Sequence, residues 1–166
     1  MSAMNIVSVH CGHSPLIISC PHDGSFIPNA IATRLTARAQ IAPDTDWHIS
    51  RLYDFARREF GASILVPTHS RYVADLNRAP DGVALYPGRR ETGLLPVLRF
   101  DGEPVYLEGE APTANEIRTR VASYWQPYHD ALAAEIARVH AEHGRVLLWE
   151  AHSIRSVVPI FFAPFA

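Results

Sequence analysis

Three short apolar runs, separated by segments with helical periodicity, constrain the fold of this chain more than any other feature. The runs cover residues 16–20, 62–67 and 145–151 and are rich in isoleucine, leucine and valine. Apolar runs of this length favour buried strands over helices. Because helical segments separate them, we predict an α/β fold with a mainly parallel or mixed sheet flanked by helices.

Two segments between the runs carry the helical pattern. In DTDWHISRLYDFARREFG the apolar residues recur at helical spacing, and we expect Asp44 to cap the start of a helix that Gly61 ends. The second helix is predicted to begin at a TxxE capping box at Thr113 and to continue to Gly144. Pro127 lies inside it and should kink or split it.

The composition suits a single domain and excludes several classes of partner. The 166 residues are 48% hydrophobic and 19% charged, which is enough apolar content for an ordinary core. The formal net charge of −2 comes without a basic run, so neither nucleic acid nor an acidic membrane surface is indicated as a partner. No stretch resembles a membrane helix or a signal peptide, so we expect a cytoplasmic location.

Two of the apolar runs lead into a histidine, His22 in LIISCPHDG and His152 in LLWEAHSI. If the two runs form neighbouring parallel strands, both histidines lie at the carboxyl edge of the sheet, where α/β folds bind their ligands. Neutral imidazoles are good zinc ligands, and a catalytic zinc usually takes three protein ligands and one water. The pattern therefore predicts a metal site that needs a carboxylate as its third ligand.

Four carboxylates compete for that third position. Asp23 is adjacent to His22, and Asp44 and Asp46 begin the first predicted helix. Glu150 lies two residues before His152, so strand alternation places both on one side of an extended strand. The spacing of these residues leaves all four open.

Arginines provide a second chemical signal. Arg71 and Arg78 flank a β-prone piece, and Arg89, Arg90 and Arg155 lie in or beside irregular chain. The planar guanidinium fork suits bidentate binding of carboxylates. The irregular segment at residues 77–109, rich in proline and glycine, is long enough to favour a functional role.

A serine nucleophile is the competing chemistry. Ser153 follows His152 and Ser25 lies near His22, but no GxSxG elbow occurs. Adjacent residues on a strand point to opposite faces, so the Ser153 and His152 side chains would diverge. A metal-free hydrolase is the weaker hypothesis.

Seven stretches between about residue 15 and residue 159 occur in a recognisable order: PLIISCPHDGSFIP, DTDWHISRLYDFA, SRYVADLNR, ALYPGRRETGLLP, FDGEPVY, YWQPYHDAL and WEAHSIRS. In this order and spacing the chain resembles the N-formylglutamate amidohydrolases, also called N-formylglutamate deformylases. The resemblance implies one domain over residues 1–166 with a sandwich similar to the zinc-dependent carboxypeptidases. It also implies hydrolysis of N-formyl-L-glutamate to formate and L-glutamate, the closing step of one route of histidine degradation.

The resemblance also implies roles for individual residues. His22 and His152 match the two histidine ligands of the carboxypeptidase pattern, which binds Zn²⁺. Ser25 stands where that pattern has its glutamate ligand, so Asp46 of the DTDW motif is taken as the third ligand instead.

The substrate side follows from the same resemblance. Asn77 and Arg78 resemble the pair with which carboxypeptidases hold a substrate carboxylate. Arg71 is a candidate for a second carboxylate or for the polarised carbonyl, and Arg155 for substrate binding. The implied partner is a small molecule with carboxylates.

The general base is the remaining role. In the related carboxypeptidases it is a late glutamate, and family members continue past the HSI motif. We therefore expect the C-terminal part of the family domain to be missing from these 166 residues, with Glu150 as the available candidate base. The alternative hypothesis is a catalytically silent member that binds an acidic amino acid without hydrolysing it.

Overall fold

A four-stranded mixed sheet lies between helices at the centre of the molecule. The computed structural model describes residues 5–81, 83 and 92–156. The strands are β1 (Val7–His10), β2 (Leu16–Ser19), β3 (Ser63–Pro67) and β4 (Leu147–Glu150). The helices are α1 (Asn29–Ala32), α2 (Ala37–Gln40), α3 (Ile49–Leu52), α4 (Asp54–Phe60), α5 (Ala114–Arg120) and α6 (Gln126–His143), with a π-helical turn at Val121–Trp125 between the last two. The predicted α/β class is confirmed.

The strand order is β1-β3-β2-β4. β2 runs parallel to both β3 and β4, whereas β1 pairs antiparallel with β3. The three apolar runs correspond to β2, β3 and β4. The sequence did not predict β1, because this edge strand buries only Val7 and its short segment VSVH gives a weak apolar signal.

The sheet separates two apolar clusters, because successive strand residues point to opposite faces. Ile17 and Leu65 face α6, whereas Ile18 and Ile64 face α3 and α4. The first cluster is completed by Val7, Leu76, Tyr128, Leu132 and Val139, and the second by Cys20, Ile49, Ala56, Ala62 and Ala151. Both faces of β2 are therefore covered, which fixes the direction in which the chain leaves it.

The helix predicted from Asp44 to Gly61 is wrong in its first part. Asp44 does not cap a helix, because its Oδ2 accepts hydrogen bonds from the Tyr72 hydroxyl at 2.6 Å and the Phe100 amide at 2.9 Å. Helical structure begins only after His48, whose φ of 66° lies in the left-handed region. Two short helices, α3 and α4, then follow, and Gly61 ends the second as predicted with φ of 63°.

The second predicted helix is confirmed at both ends. The Thr113 side chain accepts a hydrogen bond from the Glu116 amide, and Gly144 ends α6 with φ of 68°. The interruption expected near Pro127 takes the form of the π-helical turn just before it. Across the described helices, none is long and apolar enough to span a membrane.

Candidate metal centre

His22 and His152 meet at the carboxyl edge of the sheet. The parallel pairing of β2 with β4 sets Ser19 opposite Glu150, so both strands end at the same level. The chain reaches His22 three residues after Ser19 and His152 two residues after Glu150. Their ring centroids lie 5.0 Å apart, as expected for histidines from neighbouring strands of the same direction.

Asp46 lies beside both histidines. Its Oδ2 is 3.1 Å from Nδ1 of His152 and 3.7 Å from Nδ1 of His22. The Asp46 amide donates to the His22 carbonyl at 3.0 Å, and the Ser153 amide donates to Oδ2 at 3.1 Å. Backbone contacts thus hold the carboxylate on the loop before α3.

The three side chains form a group that could hold one metal ion. One candidate ligand atom from each of them lies within 4.8 Å of the other two. Ligands bound at about 2.0–2.2 Å to one tetrahedral zinc are about 3.3–3.6 Å from each other. Two imidazoles and one carboxylate also match the donor set of catalytic zinc sites.

Asp46 is ionised at neutral pH, as metal binding requires. Burial raises the pKa of its carboxyl, but the hydrogen bond from His152 and the contact with His22 lower it further, to about 2. Because a carboxylate ligand binds metal only when deprotonated, Asp46 needs no proton loss on binding.

Asp75 contacts the His22 ring at Nε2, the nitrogen that faces away from Asp46. Its Oδ1 lies 2.7 Å from Nε2 of His22, and its Oδ2 accepts a 2.6 Å hydrogen bond from Nη2 of Arg71. Burial raises the pKa of Asp75, but Arg71 and His22 lower it well below its usual range. Asp75 is therefore an acceptor only, so Nε2 of His22 carries a hydrogen and Nδ1 faces Asp46.

The pKa of His22 is raised from its ordinary value. Burial of the ring lowers the pKa, but the charge of Asp75 and the contact with Asp46 outweigh burial. In the metal-free protein Asp75 and Asp46 therefore favour the charged form of His22. Sequence reasoning missed Asp75, although SRYVADLNR places it two residues before Asn77.

A cavity of about 250 Å³ opens beside the three candidate ligands. It is lined by His22, Asp46, Arg71, Asn77, Arg78, Phe100, His152, Ser153 and Ile154. The Arg71 guanidinium lies over the Phe100 ring, 4.7 Å from its centroid. Arg78 donates from Nε to the Thr92 carbonyl at 2.7 Å, so its guanidinium is held at the wall of the cavity.

Asn77 lies close to the second histidine. Its Nδ2 is 3.2 Å from Nε2 of His152, and its backbone amide donates to Oδ1 of Asp75 at 3.0 Å. The segment from Asp75 to Arg78 therefore contacts both histidines and lines the cavity. Six of the eight residues to which the sequence gave a metal-binding, substrate-binding or catalytic role line this cavity.

The other two candidates lie elsewhere. Glu150 is exposed on β4 and is not among the residues that line the cavity. Arg155 lies 3.8 Å from Asp44 and lines an adjoining cavity of about 170 Å³. Arg89 and Arg90 fall outside the described residues.

The competing carboxylates are engaged in other contacts. Asp23 accepts a 2.9 Å hydrogen bond from the Ile49 amide and another from the Ser50 hydroxyl, which holds the start of α3. Asp44 binds Tyr72 and Phe100, as described above. Of the four carboxylates considered from sequence, the structure brings Asp46 to both histidines.

The chain is similar to known proteins over most of its length. The profile of a family described as N-formylglutamate amidohydrolase matches residues 14–164. An N-formylglutamate deformylase of Pseudomonas aeruginosa is 50% identical over 157 residues, and one of Pseudomonas putida is 46% identical over the same length. Each alignment covers 95% of this chain and 58% of the relative, so the chain spans somewhat more than half the length of these proteins.

Solved structures share the fold. The crystal structure of an N-formylglutamate amidohydrolase from Ralstonia eutropha superposes with a TM-score of 0.74 at 25% identity, covering 90% of this chain and 57% of that one. A protein from Agrobacterium tumefaciens gives a TM-score of 0.70 at 22% identity, covering 92% of this chain and 61% of that one.

Proposed function

Because the chain belongs to the N-formylglutamate amidohydrolase family, we propose that it acts on N-formyl-L-glutamate and releases formate and L-glutamate. The observation that carries this proposal is the joint placement of His22, Asp46 and His152 beside a cavity lined by arginines. The same reaction would place the protein at the end of histidine degradation.

We infer that His22, Asp46 and His152 hold one divalent metal, with Zn²⁺ the best match to two imidazoles and a carboxylate. Such an ion, when bound, lowers the pKa of a water molecule and polarises a carbonyl oxygen. Asp75 fixes the tautomer and the orientation of His22, because Nε2 donates to it and Nδ1 remains for the metal.

The cavity walls suit a substrate with two carboxylates. Arg78 lies at the wall with its fork oriented by the Thr92 and Asn77 carbonyls, and Arg71 lies beside it over Phe100. Arginine binds carboxylates in a bidentate manner, so Arg78 suits one acidic group of N-formylglutamate, while Arg71 lines the same cavity and shares its charge with Asp75. The volume of about 250 Å³ is near the lower end for small-molecule sites.

Hydrolysis also requires a proton acceptor. Water adds to the formyl carbon, the C–N bond breaks, and one proton must reach the leaving amine. Asp46 already accepts hydrogen bonds from His152 and from the Ser153 amide. Glu150, the candidate base, is exposed and is not among the residues that line the cavity, which favours a second candidate function for the chain alone, namely binding of an acidic N-acyl amino acid without turnover.

Metal analysis combined with a formate-release assay tests both candidates. We expect about one metal ion per chain and formate release that depends on the metal. Both should be lost in His22→Ala and in His152→Ala. Both should be retained in the matched control His140→Ala, on the exposed side of α6. Binding of N-formylglutamate without formate release would instead establish the second candidate. Turnover that persists in both histidine variants would rule out the metal mechanism.

A further inference from the structure

The long helical segment that begins with α5 and ends with α6 widens near its middle. In the turn Val121–Trp125 the hydrogen bonding changes, and the Gln126 amide donates to the Val121 carbonyl, five residues earlier rather than four. Pro127 follows at once, and it lacks the N–H that a regular α-helical turn would use. The local sequence therefore accounts for the wide turn.

The wide turn directs two consecutive aromatic residues toward the body of the protein. The Tyr124 ring lies 4.8 Å from the His69 ring. Tyr124 and Trp125 both pack against the cluster of Ala74, Leu94 and Leu95. Single π-helical turns inside α-helices are frequent at functional sites, which raises the question of what these residues support.

Trp125 and His129 hold the backbone on either side of Asn77. Nε1 of Trp125 donates to the Arg78 carbonyl at 2.9 Å, and Nε2 of His129 lies 3.0 Å from the Leu76 carbonyl, to which it donates. The two rings stack with centroids 3.8 Å apart and an interplanar angle of 28°. One stacked pair therefore restrains two carbonyls of the same short segment.

The restrained segment carries the chemistry of the cavity. Asp75 supports His22, Asn77 lies 3.2 Å from His152, and Arg78 lines the cavity wall. Along residues 75–78, groups that face the candidate metal centre alternate with groups that face the helical segment. Side chains 75 and 77 reach the metal centre, whereas the carbonyls of residues 76 and 78 face the helix.

We propose that Trp125 and His129 are positioning residues, which fix the backbone of residues 76–78 so that Asn77 and Arg78 meet a carboxylate of the substrate. The identity of that ligand rests on the proposed function. The restraint on the backbone does not, because it follows from the two hydrogen bonds and the stacked rings alone.

Paired substitutions separate the hydrogen bonds from general packing. Trp125→Phe keeps an aromatic ring and removes the donor, and Trp149→Phe makes the same change on the exposed part of β4 as its matched control. His129→Phe removes the second donor, whereas His129→Gln keeps a side-chain N–H that can reach the Leu76 carbonyl.

We expect Trp125→Phe and His129→Phe to raise the Kd of the zinc-loaded chain for N-formylglutamate by about five- to tenfold, the effect of one lost hydrogen bond. His129→Gln and Trp149→Phe should stay within about twofold of the unmodified chain, the range expected where the donor is kept. Zinc stoichiometry should be the same in all variants, which a loss of fold would not allow.

A second readout is independent of the ligand. In ¹⁵N–¹H spectra of the zinc-loaded chain, the Asn77 side-chain amide and Arg78 Nε–H signals should move in Trp125→Phe and His129→Phe but not in Trp149→Phe. Unmoved signals would overturn the positioning role, as would unchanged affinity in a chain that binds N-formylglutamate. If the unmodified chain does not bind N-formylglutamate, the proposed function fails, and the spectra alone decide the positioning role.

Discussion

The two histidines of the candidate metal centre follow neighbouring parallel strands but differ in their surroundings. The His22 side chain is 5% exposed and follows β2, which is paired on both sides, whereas the His152 side chain is 32% exposed and follows β4 at the end of the described sheet. His22 is backed by the buried Asp75 and Arg71, whereas among the described residues Asn77 is the side chain that contacts Nε2 of His152.

The difference follows how far each strand is covered by the rest of the described chain. Both faces of β2 are covered, and in the loop after it His22 pairs with the buried Asp75, which comes from the loop after β3. Leu147, Leu148 and Trp149 of β4 are all exposed, which leaves His152 in contact with solvent. His22 is therefore held among buried charged side chains, whereas the His152 side chain is partly exposed.

The largest expected contrast is in the stability of the metal-free chain. His22→Ala removes a buried partner of Asp75 and should lower the free energy of unfolding by about 3 kcal/mol, the lower end for broken buried pairs, because Arg71 still compensates Asp75. His152→Ala should cost less than about 1 kcal/mol, since the side chain is partly exposed. Urea unfolding in the presence of a chelator measures both, and equal losses would remove the contrast.

Substitution of the residue that contacts each histidine should lower zinc affinity, and by more on the side of His22. Asp75→Asn keeps the size of the side chain but weakens the acceptor for Nε2 of His22, so zinc affinity should fall about 10- to 100-fold. Asn77→Ala should lower zinc affinity less than Asp75→Asn, because the Asn77 amide contacts only the more exposed histidine. Competition titration with a chromogenic chelator gives both affinities. A larger loss of zinc affinity in Asn77→Ala than in Asp75→Asn would contradict the expected order of the two residues.

The pH dependence of the stability of the metal-free chain should also distinguish His22 from His152. The folded pKa of Asp75 lies below 3.8, so its contribution to stability is present above that pH and is lost as the pH falls through the folded value. The folded pKa of His22 lies above 6.5, so its contribution is complete below that pH and is lost as the pH rises through the folded value. The midpoint temperature of unfolding should therefore decline toward low pH as Asp75 is protonated and toward high pH as His22 loses its proton.

His22→Ala should remove the His22 part of the decline at high pH, and His152→Ala should leave that part in place. A profile for His22→Ala that matches the unmodified chain at high pH would show that the proton on His22 does not stabilise the folded state.

The smallest effect is expected at the exposed strand. Trp149→Ser on β4 should change the free energy of unfolding by less than about 0.5 kcal/mol, since the side chain is half exposed and its ring centroid lies 6.5 Å from that of Tyr53. Chemical denaturation provides the value. A loss of 2 kcal/mol or more would mean that β4 is as well covered as β2 and would weaken the comparison.

The sequence predicted the features that depend on local pattern. The strands β2, β3 and β4, the capping box at Thr113 and the end of α6 at Gly144 all follow from residues within a few positions of each other. The meeting of His22 and His152 was also predicted, because strand order and direction place both at one edge.

The sequence did not predict features that depend on distant partners. Asp44 is of a residue type that often caps helices, but its carboxylate accepts hydrogen bonds from the Tyr72 hydroxyl and the Phe100 amide, which are distant in sequence. Asp75 gives no local signal, since its role exists only when the loop after β3 reaches His22. Asp46 was one of four carboxylates, and its backbone contact with the His22 carbonyl is what brings it to the site.

Calorimetric titration of the metal-free chain with Zn²⁺ tests the metal centre most directly. The unmodified chain should bind one ion, and His22→Ala, Asp46→Ala and His152→Ala should each abolish that site, while the exposed control His140→Ala should bind like the unmodified chain. An unmodified chain that binds no zinc, or three variants that bind it as tightly as the unmodified chain, would contradict the proposed metal centre.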